Sequence, residues 1–275
     1  MLARMHAAPP DWITPAWPAP PGVYALCTTR VGGVSAAPWN TCNLGDHVRD
    51  DPQAVRANRA RLGDALRHTT PAARAVYLKQ VHATQVAVLD TTSADGLQAD
   101  ASTTRTAGLA CTVLVADCLP VLFTNRAGTR VAAAHAGWRG LAAGVLERTL
   151  ACFVAPAQWV QAPSAPEIEV LAWLGPCIGP TAFEVGAEVR EAFCAHDARA
   201  ARCFAPLATR GKYLADLAAL ARQRLQAAGV ASITGNDSSS RWCTVSNPSR
   251  FFSHRRDAAT LGSTGRMAAC VWIGA

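Results

Sequence analysis

The segment 109–140 constrains the fold of this 275-residue chain more than any other stretch. It contains two apolar runs, at 109–115 and 131–134, and a third short run at 120–125 between them. Apolar runs of this length that end at polar or glycine positions predict buried strands. We therefore expect three strands of a buried sheet in this segment.

Residues with catalytic or metal-binding side chains follow these predicted strands. Asp117 and Cys118 come directly after the first run, and His135 ends the last one. Buried strands seldom need an acid, a thiol and an imidazole at their ends for packing, and α/β proteins tend to place chemistry at strand ends. A glycine-rich turn after His135 leads into a predicted helix at 141–150, whose N-terminus favours an anion at the same place.

Composition limits the class of protein. Apolar residues make up 50% of the chain and charged residues 16%, which predicts a sizeable core. No window approaches about eighteen uninterrupted apolar residues, the length that a transmembrane helix needs. The N-terminus lacks the apolar stretch of a secretory signal, so a cytoplasmic location is expected. We expect a Pro-rich arm over residues 1–21 and a single catalytic domain over 22–275.

The cysteines and the net charge leave the function open. The ten cysteines are scattered and form no CxxC pair, so most are expected to be buried small hydrophobic residues rather than disulfide partners. The formal net charge of +7 fits an anionic substrate about as well as nucleic acid.

The C-terminal third contains a predicted helix and a basic turn. Leucine spacing predicts one helix over 212–228, whereas 250–257 is predicted to be a basic turn before the last strand. Several guanidinium groups around one site would bind phosphate in a bidentate manner, although any one alone is more simply a solvated surface charge. The arginines in turns that qualify are Arg30, Arg139, Arg255, Arg256 and Arg266.

His82, Cys118 and His135 are the candidate metal ligands. Each lies at the end of a short apolar run, so a sheet would be able to bring them together, although their separations are not those of a zinc finger. Two imidazoles and one thiolate leave one tetrahedral position open, as in a catalytic zinc site, where the pKa of bound water falls to about 7. The alternative is that the histidines are hydrogen-bonded and half-buried and that the thiol is packed in the core.

A second interpretation of the same side chains is a nucleophilic pair. Cys118 would attack and His135 would accept the proton, with Asp117 or an asparagine orienting the imidazole. Such pairs also arise easily by chance in a chain with ten cysteines and seven histidines.

Eight ordered motifs carry a resemblance to a known family. They are the blocks at 28–35, 43–45, 50–52, 80–82, 116–120, 134–140, 174–180 with 183–185, and 251–257. With them the chain resembles the YfiH/YlmD-type laccase-domain proteins, once labelled multicopper polyphenol oxidases and now regarded as purine nucleoside phosphorylases. The resemblance extends from about Val23 to the C-terminus.

The resemblance implies an α/β (mixed α+β) fold, a layered sandwich of mixed β-sheets flanked by helices, similar to the cytotoxic necrotizing factor domain. It implies a zinc ion held by His82, Cys118 and His135. Copper is the less favoured metal, because laccase chemistry needs several His-rich sites and this chain has seven histidines in all.

The resemblance also implies the reaction. The expected activities are phosphorolysis of adenosine, inosine and methylthioadenosine, together with adenosine deamination. The expected partners are purine nucleosides and inorganic phosphate, without nucleic acid or membrane, and the expected state is a monomer or homodimer.

The expected site contains catalytic and substrate-binding residues. Cys118, Asp117 and His135 are the catalytic candidates, and Asp117 would orient a zinc ligand or move a proton. The candidates for binding substrate or phosphate are Arg30, Asn43, Gln80, Arg139 and Arg256.

Two departures from the family pattern concern this site. Ala83 stands where the family usually has glycine, and the segment 258–263 lengthens the spacing before Arg266. The second departure leaves the placement of Arg266 open.

Two other functions remain open at the level of the sequence. One is a hydrolase that uses Cys118 and His135 on an amide, for instance in peptidoglycan precursor editing; it predicts alkylation of Cys118 and insensitivity to zinc removal. The other is a zinc-stabilised binding module, which predicts no product from any nucleoside.

Overall fold

Fourteen strands and six α-helices make up the part of the chain that the computed structural model describes, which is residues 8–9, 11–153 and 169–274. The strands are β1 (Val23–Cys27), β2 (Arg74–Lys79), β3 (Val86–Leu89), β4 (Leu97–Gln98), β5 (Ala101–Thr104), β6 (Leu109–Val115), β7 (Leu119–Asn125), β8 (Val131–Ala136), β9 (Val170–Leu174), β10 (Glu184–Gly186), β11 (Phe204–Pro206), β12 (Lys212–Ala215), β13 (Ser232–Gly235) and β14 (Met267–Ile273). The helices are α1 (Pro52–Thr69), α2 (Trp138–Ala143), α3 (Val145–Ala151), α4 (Ala187–His196), α5 (Leu217–Ala227) and α6 (His254–Leu261).

Two large sheets and one small sheet organise these strands. The five-stranded sheet has the order β1-β14-β6-β2-β4, the six-stranded sheet β13-β9-β7-β8-β5-β3, and the small sheet β10-β12-β11. Both large sheets are mixed: β6 runs parallel to β2 and antiparallel to β14, and β9 runs parallel to β13 and antiparallel to β7.

The two large sheets pack face to face, with helices on their outer faces. Alternate residues of β6 point to opposite layers: Cys111 and Val113 join the cluster between the sheets, whereas Ala110 and Leu114 join the cluster under α1. Helices α2 to α5 cover the other face of the six-stranded sheet. Because both faces of the central strands are buried, their sequences are continuously apolar. The predicted α/β layered sandwich of mixed sheets is confirmed.

Trp12 and Ile13, which precede β1, pack on this sandwich. Ile13 forms a bridge with Cys27 of β1, and Trp12 is buried with its indole N–H donating to Val31 O at 3.1 Å. Among the described residues, no helix combines the length and hydropathy needed to span a bilayer. The predicted surface connection at 155–167 lies outside the described residues.

Three local predictions differ from the structure. The predicted helix at 212–228 is the strand β12 followed by α5, because Asp216 caps α5 by accepting Ala219 N–H, and β12 pairs with β10 and β11. The predicted turn at 250–257 contains the start of α6, which Ser253 caps by accepting Arg256 N–H. The predicted helix at 141–150 is divided at Gly144, where φ is +98°.

Candidate active site

Three side chains from separate elements meet at one end of the sandwich. His82 follows β2, Cys118 lies in the turn between β6 and β7, and His135 is on β8. Their ligand atoms all lie within 4.8 Å of one another, and Cys118 Sγ lies 3.8 Å from His82 Nε2. The structure therefore brings the three predicted metal ligands together. Over residues 8–9, 11–153 and 169–274, no other group of three such side chains is close enough to share an ion.

The space around these atoms fits a metal ion. A Cβ atom at Gly137 would lie 2.9 Å from Cys118 Sγ and 2.9 Å from His82 Cδ2, so only glycine lets the chain after β8 pass beside the ligands. Two imidazole nitrogens and one sulfur are a donor set that zinc and copper both accept. Three protein ligands leave a further coordination position for a reactant.

The electrostatics of the group favour the metal-binding form of the thiol. Burial raises the pKa of the Cys118 thiol, but the charge of His135 and hydrogen bonds from both imidazoles lower it to about 6 overall. Burial lowers the pKa of His135, but the Cys118 thiolate and Asp100 raise it to about 9. Both directions favour the thiolate beside a protonated imidazole in the metal-free protein, and the thiolate is the form that ligates metals.

Asp100 orients His135, a role that the sequence had suggested for Asp117. Asp100 Oδ1 lies 2.9 Å from His135 Nδ1, which leaves Nε2 free for the site. The same carboxylate accepts the backbone N–H groups of Val81, His82 and Ala83 at 3.1, 2.8 and 2.7 Å. Asp100 is thus in contact with the segments that carry two of the three ligands.

Asp117 lies next to Cys118 and makes no hydrogen bond to His135, and its predicted role in orienting a zinc ligand or moving a proton stays a prediction. Its carboxylate accepts the Thr244 hydroxyl and, at 2.6 Å, the backbone N–H of Arg255 at the start of α6. Its carbonyl oxygen accepts Ile178 N–H at 2.9 Å. Because both carboxylate oxygens are engaged there, Asp117 fastens the turn that carries Cys118 to α6 and does not support His135.

Strand register is the signal that would have identified Asp100. Ala101, the first residue of β5, pairs with Ala134 of β8, so Asp100 must lie beside His135. The sequence segment shows only a polar stretch before β6, and nothing local indicates that β5 and β8 are neighbours.

A cavity of about 780 Å³ adjoins the three ligands. Its volume lies in the range typical of small-molecule sites. The charged groups that line it are Arg59, Lys79, Arg139, Arg266, Asp46 and Asp95, together with the additional histidines His47 and His254. Cations outnumber acids in this lining, so the cavity favours an anionic ligand.

Arg59 forms a salt bridge with Asp46 at 3.1 Å. The other two arginines of the cavity, Arg139 and Arg266, form no salt bridge with a carboxylate of the described residues. Arg139 stacks on Trp138, with its Cζ atom 4.4 Å from the ring centroid. Arg266 Nη1 donates to the carbonyl oxygens of residues 264 and 265 at 3.0 and 3.1 Å. Two arginines are therefore available to a bound anion.

The two departures from the family pattern leave this site intact. Ala83 is not among the residues with positive φ, so its Cβ atom causes no backbone strain. The longer segment before Arg266, residues 258–263, contains the last turn of α6. The helix ends at Leu261, and Gly262 caps it with φ of +73°. Arg266 lies in the cavity lining, and its backbone N–H donates to Asn43 Oδ1 at 2.8 Å.

Three of the predicted substrate residues lie outside the cavity lining. Arg256 is bound by Asp257 and by backbone carbonyl oxygens, and Arg30 donates to Asn40 and to the carbonyl oxygen of Pro248. Asn43 is fully buried and accepts two backbone N–H groups. Their polar atoms serve the fold, because neighbouring protein groups already satisfy them. Their predicted role in binding substrate or phosphate stays a prediction.

Gln80 and Arg139 line the cavity, and their predicted role in binding substrate or phosphate stays a prediction. Gln80, however, pairs its amide with both backbone groups of Leu114. The sequence-based set also lacked His47, His254, Arg59 and Lys79, which lie in separate segments of the chain and meet only in the folded protein.

Comparisons with known proteins assign the family. Residues 24–274 match the family model described as multi-copper polyphenol oxidoreductase laccase. The chain is 50% identical over 262 residues to purine nucleoside phosphorylase PA4543 of Pseudomonas aeruginosa, covering 95% of this chain and 98% of that protein. It is 51% identical over 261 residues to purine nucleoside phosphorylase YfiH of Escherichia coli K12, with the same coverage of 95% and 98%.

Solved structures show the same fold. Protein NMB0706 of Neisseria meningitidis superimposes with a TM-score of 0.83 at 44% identity, covering 96% of this chain and all of that one. YlmD of Geobacillus stearothermophilus superimposes with a TM-score of 0.77 at 29% identity, covering 97% and 100%. Since sequence and structure agree over nearly the whole chain, the protein belongs to the multi-copper polyphenol oxidoreductase laccase family, as the YfiH/YlmD-type resemblance predicted.

Proposed function

We propose that the protein is a zinc-dependent purine nucleoside phosphorylase that acts on adenosine, inosine and methylthioadenosine and also deaminates adenosine. One observation carries the proposal: a single cavity combines a His–Cys–His group that could hold a metal ion with two arginines that form no salt bridge among the described residues. Two relatives with half of the sequence in common, each matched over nearly its full length, are named purine nucleoside phosphorylase.

Phosphorolysis requires an anion beside a sugar that becomes cationic. Phosphate attacks the anomeric carbon while the glycosidic bond breaks, and the purine leaves with the bonding electrons and takes up a proton. Arg266 and Arg139 would hold the phosphate by charge-assisted hydrogen bonds in a partly buried site, where such bonds are strongest. Within the described residues, Nε and Nη2 of Arg266 have no protein acceptor, so these groups are free to bind the anion.

The chain's own residues prepare the metal site. The ion would be held by His82, Cys118 and His135, and when bound it acts as a Lewis acid. Asp100 keeps His135 Nε2 available, and Gly137 leaves the space that the ligands need. Zinc is the proposed metal, because multicopper oxidation needs several copper sites and the described residues form one three-ligand group.

Product analysis tests the proposal. Purified protein is incubated with inosine and phosphate, with chelator, and with chelator followed by zinc or copper. We expect hypoxanthine and ribose 1-phosphate, loss of both with chelator, and recovery with zinc. Adenosine should give adenine, together with inosine from deamination. Equal turnover with and without bound metal would refute a zinc-dependent reaction.

Substitution of Cys118 tests whether metal and reaction share one site. Cys118→Ala should lose bound zinc and phosphorolysis together, whereas Cys194→Ala, which removes a half-buried thiol outside the cavity lining, should keep both. A Cys118→Ala protein with full phosphorolysis would separate the reaction from the metal ligands.

A Cys–His hydrolase acting on an amide is the second candidate, favoured by one observation. Cys118, His135 and Asp100 form a nucleophile, base and orienting carboxylate in series, with the pKa of the thiol lowered by His135. This function predicts that the protein hydrolyses an amide. The hydrolysis should continue after a chelator is added, and alkylation of Cys118 should abolish it.

A further inference from the structure

We infer that Asp100 is a positioning residue that fixes two of the three metal ligands at once. The inference rests on the metal site of the proposed function, and on no particular substrate. Asp100 is fully buried and accepts five hydrogen bonds, four through its carboxylate and one through its carbonyl oxygen. Each of these bonds leads to the segment of His82 or to His135 itself.

The first contact is with the loop that carries His82. Three consecutive backbone N–H groups, from Val81 to Ala83, converge on the Asp100 carboxylate. Consecutive N–H groups that face one anion form a nest. His82 has φ of +60°, a left-handed conformation that is uncommon for residues other than glycine. The carboxylate therefore holds His82 in a backbone conformation that the loop alone would populate less.

The second contact is with the ring and backbone of His135. Its Nδ1 atom lies 2.9 Å from Asp100 Oδ1, and its backbone N–H donates to Asp100 O at 2.7 Å. Because the carboxylate accepts a proton held on Nδ1, the lone pair available for a metal is on Nε2. The ring is thereby fixed in both tautomer and orientation, which is how carboxylates support histidine ligands.

A carboxylate is required in this position because all of its partners are donors. An asparagine of the same size would turn its NH₂ group towards one set of N–H groups. If the NH₂ group replaced Oδ2, Val81 and Ala83 N–H would lose their acceptor, and if it replaced Oδ1, His82 N–H and the His135 ring would lose theirs. The amide variant should consequently weaken metal binding even though none of the three ligands has been changed.

The test compares Asp100→Asn with Asp257→Asn. Asp257 is another buried carboxylate, bound to Arg256 and Thr264 and without contact to the ligands. Zinc affinity is measured by chelator competition, and the histidine ring nitrogens are observed by ¹⁵N NMR in the zinc-loaded proteins. We expect Asp100→Asn to bind zinc roughly 10- to 100-fold more weakly, and to lose the His135 Nδ1–H signal if the NH₂ group faces the ring. Asp257→Asn should lose thermal stability but keep the wild-type zinc affinity and the His135 Nδ1–H signal.

Wild-type protein provides a measurement that does not depend on how the variant folds. With zinc bound, His135 should show a protected proton on Nδ1 and a metal-bound Nε2. Metal on Nδ1, or Asp100→Asn with wild-type zinc affinity and ring signals, would overturn the inference. A wild-type protein that binds zinc in this way and yet gives no phosphorolysis would refute the proposed function alone.

Discussion

Gln80 pairs its side-chain amide with both backbone groups of Leu114. Its Nε2 donates to Leu114 O at 2.8 Å, and its Oε1 accepts Leu114 N–H at 2.7 Å. Strands β2 and β6 are parallel neighbours whose backbone pairing ends at Tyr77 and Thr112. The amide of Gln80 continues this pairing beyond the ladder, and so joins the chain segment that leads to His82 to the one that leads to Cys118.

Gln80→Ala should weaken the metal site indirectly. Removal of the amide leaves two backbone groups without their partners, for which we expect a loss of about 1–3 kcal/mol in the free energy of unfolding. Zinc affinity should fall as well, because the distance between His82 and Cys118 is less well fixed. Denaturant unfolding and chelator competition measure the two effects. Wild-type zinc affinity in a destabilised Gln80→Ala would limit the role of Gln80 to stability.

Gly137→Ala should disturb the ligands by steric contact. Gly137 has φ of −65°, so alanine introduces no backbone strain, but its Cβ atom would meet Cys118 Sγ and His82 Cδ2 at 2.9 Å each. We expect reduced zinc content and loss of most activity in a folded protein. Metal analysis together with circular dichroism tests this, and normal zinc content would show that the ligands move aside freely.

Arg266→Gln should raise the KM for phosphate more than the KM for nucleoside. A charge-assisted hydrogen bond contributes roughly 1.5–3 kcal/mol, so we expect an increase of about 10- to 100-fold. Arg30→Gln is the matched control, because Arg30 lies outside the cavity lining and donates to protein oxygens. Steady-state kinetics with each substrate varied in turn provides the measurement. Equal effects of the two variants on the phosphate KM would remove Arg266 from the phosphate site.

Asp257→Asn should change the pH dependence of stability at acid pH. Burial raises the pKa of Asp257, but hydrogen bonds from Arg256 and Thr264 outweigh it, so the pKa is lowered in the folded state. The stabilisation is therefore present above the unfolded pKa of about 3.9, and is lost as the pH falls through the folded value. The stability difference between wild type and variant should shrink below about pH 4. A difference independent of pH from 6 to 3 would contradict this pairing.

Local patterns in the sequence determined much of the layered core. The strands β6 and β14 and the start of α1 follow from apolar runs and from Asp51 before Pro52, because a buried strand or a capped helix depends mainly on its own residues. Patterns of this kind gave wrong predictions at β12, which was expected to be helical, and at α6, which was expected to be a turn. There, pairing with distant strands and the caps Asp216 and Ser253 decided the structure.

The sequence by itself also determined the chemistry that is available, through His82, Cys118 and His135 in motifs of a known family. Only the tertiary structure decided which other residues serve them. Asp100 reaches His135 because β5 pairs with β8, and Arg266 reaches the cavity from the far end of the chain. Arginines that looked equivalent in sequence differ because hydrogen bonds to protein carbonyl groups engage Arg30 and Arg256. Such distinctions depend on contacts between residues far apart in sequence, which no local pattern encodes.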